Sequence, residues 1–163
     1  MKPINLKNPI HFLAFGFGSG LIKPAPGTWG SIAGMILAIL LWNLTASPVF
    51  FIGLSIISFI AGCYICEKTS QDLGVHDDGR IVWDEIVGIF LIFAFLPQHD
   101  TLFYILTFIT FRIFDILKPF PIGFIDKKLK GGLGIMVDDI LASVYAIIVL
   151  YFLYFGLHLA DLI

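Results

Sequence analysis

The chain has 163 residues, 58% of them hydrophobic and 15% aromatic, with only 13% charged and a mean hydropathy of +0.95. That length suits one domain, and the charge content is far below the ~25% usual in soluble chains. With a net charge of −2 and no basic tract interleaved with aromatics, nothing points to a nucleic-acid partner.

The charges are not spread evenly. They fall in three blocks, residues 1–23, 67–85 and 112–139, separated or followed by apolar runs over 24–66, 86–111 and 140–160. Asp100 is the one charge inside those runs. The first two runs are long enough to cross a bilayer and return. All three charged blocks then meet at one membrane face, leaving only Asp100 and Asp161 on the other. This predicts an all-α fold: a compact helical membrane bundle of about five spanning or partly spanning helices, with one polar cytoplasmic face. Residues 1–163 form a single domain, and a carboxylate-rich mouth of this kind suits chemistry on a lipid headgroup.

Residues 1–30 mimic a signal peptide, with Lys2 and Lys7 ahead of an apolar run. Pro9, His11 and the glycines at 16, 18 and 20 interrupt that run, and no small-residue cleavage site follows. The segment reads as an interfacial or re-entrant piece. Pro26-Gly27-Thr28-Trp29-Gly30-Ser31 opens the first span. Helix amino ends can cradle phosphate, which makes Thr28 and Ser31 candidate substrate contacts; a plain Gly-rich turn is the alternative. Residues 31–46 and 49–66 read as a helical hairpin turned at Ser47-Pro48. Cys63 and Cys66 lie one turn apart and read as small packing residues, since two ligands do not complete a metal site.

The block from His76 to Glu85 is the richest in chemistry. It leads into residues 86–96, about 17 Å at helical rise and short for a ~30 Å hydrocarbon core. The partner span, 102–117, contains Arg112 and Asp115 near its end. Either the helices extend above the bilayer or the polar site is sunk into it, and some of each is expected. Pro119 and Pro121 end that helix, and Lys127, Lys128 and Lys130 read chiefly as a positive-inside signal. Gly131-Gly132-Leu133-Gly134 reads as a flexible loop or a close approach of backbone to a ligand. Residues 140–159 form the clearest single span. The turns at 45–48 and 97–101 and the tail 156–163 lack Lys and Arg. The positive-inside rule therefore puts the charged blocks in the cytoplasm.

Val82-Trp83-Asp84-Glu85-Ile86-Val87-Gly88 echoes Met136-Val137-Asp138-Asp139-Ile140-Leu141-Ala142. Both place an acidic pair just before an apolar span, so both pairs are predicted at helix amino ends. There a carboxylate can simply serve as a cap. Two pairs on one small face repel unless a cation sits among them, and an all-oxygen site suits Mg²⁺. Asp84, Glu85, Asp138 and Asp139 are the candidate metal ligands. Arg112, Asp115 and Lys118 recur at i, i+3, i+6. Arg112 and Asp115 can pair with each other, or Arg112 or Lys118 can hold a phosphate while Asp115 serves the metal. His76 is either a proton donor or acceptor or a solvent-exposed loop residue. The lack of Gly-x-Ser-x-Gly and of Cys in the polar blocks argues against covalent Ser or Cys catalysis, while an aspartyl-phosphate stays open.

At these residues the chain resembles the phosphatidylglycerophosphatase A family, over nearly its whole length. The segments are Phe17-Gly18-Ser19-Gly20-Leu21 with Pro26-Gly27-Thr28-Trp29-Gly30-Ser31; Asp72-Leu73-Gly74-Val75-His76-Asp77 continuing to Val82-Trp83-Asp84-Glu85; Phe111-Arg112-Ile113-Phe114-Asp115 with Lys118-Pro119-Phe120-Pro121-Ile122; and Gly131-Gly132-Leu133-Gly134-Ile135-Met136 with Asp138-Asp139. The resemblance implies a Mg²⁺-dependent phosphatase of the bacterial inner membrane, active in phospholipid biosynthesis. It would convert phosphatidylglycerophosphate to phosphatidylglycerol and inorganic phosphate. Asp84, Glu85, Asp138 and Asp139 would hold Mg²⁺, with Asp115 a possible further ligand. Arg112 and Lys118 would stabilise the phosphoryl oxygens, and His76 would protonate the leaving alkoxide. The alternatives are a phosphotransferase of the CDP-alcohol type, whose longer acidic array is absent, and a non-catalytic lipid- or cation-binding membrane protein. Transport would need ionisable groups at mid-membrane, where the spans have none.

Overall fold

Pro48, Trp83, Thr101 and Gly131 each open a helix in the computed structural model, which describes residues 4–75 and 78–162. The elements run α1 (Pro9–Ala14), a 3₁₀ segment (Gly16–Leu21), α2 (Pro26–Thr45), α3 (Pro48–Leu73), α4 (Trp83–Phe95), α5 (Thr101–Leu117), α6 (Ile122–Lys128) and α7 (Gly131–Leu159). Among the described residues there is no strand, and the helical bundle expected from the sequence is observed.

The turns follow local chemistry. Ser47 caps α3 by accepting from the Phe50 amide at 3.2 Å, with Pro48 in the first turn, where its missing N–H costs nothing. Gly74 closes α3 in the left-handed region at φ 69°. Asp100, the lone charge of the second apolar run, caps α5 through the Phe103 amide at 2.8 Å.

Among the described residues three helices are long and apolar enough to cross a membrane: α2, α3 and α7. Their outward faces carry exposed Leu40, Leu44, Ile57, Ile60, Phe152 and Phe155, the surface of a membrane protein. The shorter α4 solves its length problem differently. Eleven of its thirteen residues are buried, because α2, α3, α5 and α7 surround it. A helix apolar on all sides belongs inside a bundle, and inside protein it need not match the lipid thickness. Small residues permit the approach: a Cβ at Gly30 or Gly34 would meet Val82 or Ile86 of the chain entering and forming α4.

The amino-terminal segment packs beside these helices. The Val82 amide donates to Ala14 O at 2.9 Å. His11 is buried with its Nε2 3.4 Å from Asp72 Oδ2 of α3. Phe12 and Phe17 stay exposed.

Four helices exceed their sequence-predicted bounds toward the charged end; α2 starts at Pro26 and α4 at Trp83, and two differ by more. α3 continues past residue 66 to Leu73, and α7 starts at Gly131 rather than at residue 140. The glycine run, read as a flexible loop or as a close backbone approach to a ligand, is helical. A cap on another helix explains it: Glu67 Oε2 of α3 accepts from the Gly132 amide at 2.6 Å, satisfying a first-turn donor. Gly132 lies so close to α3 that a Cβ there would reach 1.8 Å from Cys63 O. At ~1.5 Å per residue, α7 is about 43 Å long and α4 about 20 Å, so the long helices reach well beyond the short ones.

Candidate active site

The amino end of α4 supplies two carboxylates, because Asp84 and Glu85 fall in its first turn. Asp139 joins them from the third turn of α7. One oxygen from each of the three lies within 4.8 Å of the others, and all three residues are buried. Asp84 Oδ1, Glu85 Oε2 and Asp139 Oδ2 have no hydrogen-bond partner. Buried, unsatisfied carboxylate oxygens are costly. Three together demand a shared proton or a cation, and an all-oxygen donor set fits a hard divalent ion.

Arg112 of α5 forms the opposite wall. Its Nη1 pairs with Asp115 one turn later, lies 3.8 Å from Glu85 Oε1 and donates to Ser31 Oγ at 3.4 Å. Ser31 in turn donates to Gly27 O at 2.9 Å. The Arg112 Nε is buried with no partner, so part of its donor fork is free for an anion. Gly27 borders this space directly: a Cβ would come within 2.4 Å of Glu85 Oε1 and 3.0 Å of Arg112 Nη1. Thr28 is half-buried in the same first turn of α2.

The remaining sequence candidates separate. Asp138 differs from the expected four-carboxylate group: Lys118 Nζ bonds its Oδ2 at 2.5 Å. Asp138 stays close enough for its charge to act on Asp84, yet its carboxylate pairs with Lys118 while Asp139 joins the trio. Nor is this pair at a helix end, since α7 begins eight residues before Asp139. Lys118 also reaches Asp126 Oδ1 at 3.3 Å. Burial works against its charge, but the Asp138 and Asp126 carboxylates outweigh that and hold the ammonium above the ordinary lysine range. Lys118 is thus committed to carboxylates. Asp115 neighbours both Arg112 and Asp139. His76 lies outside the described residues. Asp78 turns away into a pair with Arg80, with Nη2 to Oδ2 at 2.5 Å.

Sequence reading passed over Gly27, Glu67 and Asp126. Gly27 stood inside a named segment, but only contact with Glu85 and Arg112 shows why a glycine is needed. Glu67 and Asp126 carry no local signal of these roles, because the Gly132 amide and Lys118 that they meet lie on other elements.

The phosphatidylglycerophosphatase A family model matches residues 12–154. A phosphatidylglycerophosphatase A from Haemophilus influenzae is 54% identical over 151 residues, covering 93% of this chain and 92% of that one. The Escherichia coli protein of the same name is 43% identical, covering 92% of this chain and 86% of its own. A Bacteroides thetaiotaomicron relative, 37% identical over 83% of this chain and 87% of its own, bears the provisional name phosphatidylinositol-3-phosphatase. No solved structure matches.

Proposed function

The chain belongs to the phosphatidylglycerophosphatase A family, and on that premise we propose that it is a Mg²⁺-dependent lipid phosphatase converting phosphatidylglycerophosphate to phosphatidylglycerol and inorganic phosphate. The observation that carries this reading is the trio Asp84, Glu85 and Asp139, buried within 4.8 Å of one another and faced by Arg112. These three carboxylates would hold the ion. When bound, Mg²⁺ would offset phosphate charge and make a bound water more acidic.

The protein's own groups do the rest. Arg112, oriented by Ser31 and Asp115, turns its free guanidinium edge to the phosphoryl oxygens and stabilises the charge that develops on them. Gly27 keeps backbone rather than side chain beside that position. Lys118 and Asp138 form a neighbouring ion pair, so the Lys118 charge is already matched by protein carboxylates rather than offered to the phosphate. His76 is the proposed donor to the leaving glycerol oxygen. Water oxygen bonds to phosphorus, the ester P–O bond breaks, the His76 proton neutralises the alkoxide, and one water proton restores His76 while the other stays with the phosphate. The Lys- and Arg-bearing end faces the cytoplasm of the bacterial inner membrane on the positive-inside rule, and the product feeds phospholipid synthesis.

The test is phosphate release by the purified protein from phosphatidylglycerophosphate, with Mg²⁺ or with chelator, beside phosphatidylinositol-3-phosphate as the competing headgroup. Turnover of the first substrate that needs Mg²⁺ is expected. Turnover unchanged by chelator removes the metal, and preference for the inositol lipid removes the substrate assignment.

A further inference from the structure

Below Ser31 and Arg112, the two residues that join α2 to α5 at the site, those helices part. An apolar groove of about 560 Å³ opens between them, lined by Ile32, Ile36 and Ile39 of α2 and by Tyr104, Ile105 and Phe108 of α5. Its upper end abuts the site, for Ile32 follows Ser31 in the chain and Phe108 precedes Arg112 by one helical turn. It runs about 10 Å down the helices, the rise of seven residues on each. A second apolar groove, about 250 Å³ and lined by Ile56, Phe59, Leu91 and Ile140, lies at α3 and α7. Neither Ser31 nor Arg112 nor a residue next to them lines that one.

We propose that the α2–α5 groove seats one acyl chain of the lipid substrate, so that Ile36 and Ile105 set the preference for an acylated over a free phosphomonoester. The assignment rests on the lipid-phosphatase reading. Continuity with the Arg112 end of the site selects the occupant: a phosphate held at Arg112 places its glycerol and first methylenes at Ile32 and Phe108. Such a groove turns apolar burial distant from phosphorus into positioning of the reacting ester. It is also of the size in which small molecules bury most of their surface, ~300–1,000 Å³.

Ile36→Trp and Ile105→Trp fill the groove from positions 55% and 54% exposed, where the bulk meets lipid rather than core. Each is assayed on dipalmitoyl phosphatidylglycerophosphate in mixed micelles and on the deacylated headgroup in water. Ile56→Trp, in the α3–α7 groove, is the control. We expect kcat/KM on the acylated substrate to fall by about tenfold or more relative to the headgroup, the size of effect that a few displaced methylenes cause, and no change of the ratio in the control. An unchanged ratio, or equal loss on both substrates, overturns the proposal. A measurement independent of turnover separates its failure from that of the catalytic reading. The same lipid carrying a mid-chain diazirine is photolysed in phosphatidylcholine vesicles with the wild-type protein. Cross-links concentrated on residues 32–39 and 101–108 uphold the groove even if no phosphate is released. Labelling spread equally over 55–60 and 148–155 refutes it even if the enzyme is active.

Discussion

Asp84→Asn should move stability and activity in opposite directions. The change keeps the shape of the side chain and removes a charge from a trio whose oxygens lie within 4.8 Å. Two unit charges at that separation repel by about 3.5 kcal/mol at an effective dielectric near 20. Proton sharing among the three relieves much of this, so the metal-free variant should gain about 1–3 kcal/mol. For a chain of this size that is about 2–4 °C in Tm for each kcal/mol. Turnover should drop by roughly 10²–10³, the loss of about 3–4 kcal/mol of charge stabilisation in the transition state. The rise in Tm that Mg²⁺ gives the wild type should shrink or vanish, since an amide is a poor substitute for a carboxylate ligand. Thermal unfolding in detergent with Mg²⁺ or chelator, beside phosphate release from phosphatidylglycerophosphate, reads all three. If Asp84 only caps α4, Asn caps as well as Asp. Near-wild-type turnover with an undiminished Mg²⁺ effect would therefore refute the shared site.

Arg112→Lys keeps the charge but loses the planar fork, so kcat/KM should fall by about tenfold or more while the protein stays folded, measured by phosphate release and thermal unfolding. Gly27→Ala puts a methyl 2.4 Å from Glu85 Oε1. Alanine favours the helix, so an intact fold with turnover reduced by about tenfold or more is expected, and full activity would show that the space is unused. His99, stacked on Trp42 at 3.2 Å between ring centroids, has its pKa pushed down by burial to about 4. Between that value and the ordinary 6.5, the unfolded chain binds more protons than the folded one. Stability should therefore fall as pH is lowered through this window, and His99→Phe should flatten the dependence of Tm on pH. For topology, with Cys63 and Cys66 replaced by Ser, an impermeant thiol reagent added outside cells should label Gln98→Cys and spare Lys128→Cys; the reverse pattern places the site outside.

Much of the bundle was legible in the chain itself. Apolar run lengths located the three spanning helices, and Ser47-Pro48 marked a turn with its own cap and first-turn proline. The blocks of charge set which helix ends come together, because membrane insertion sorts charged segments along the chain. The acidic pair at Asp84 and Glu85 was readable for the same local reason: charge just ahead of an apolar run marks a helix start. What required the tertiary structure was everything set by partners distant in sequence. Nothing near Gly131 announces a helix there; Glu67, on α3, supplies the cap. Equally, nothing distinguishes Asp138 from Asp139 until α7 is placed, when Lys118 pairs with the first and the second joins Asp84 and Glu85. The burial of α4 on all sides likewise follows from four neighbouring helices rather than from its own residues. Local pattern encodes which segments are helical and which ends are charged, but the meeting of individual side chains depends on helix rotation and separation, which only packing decides.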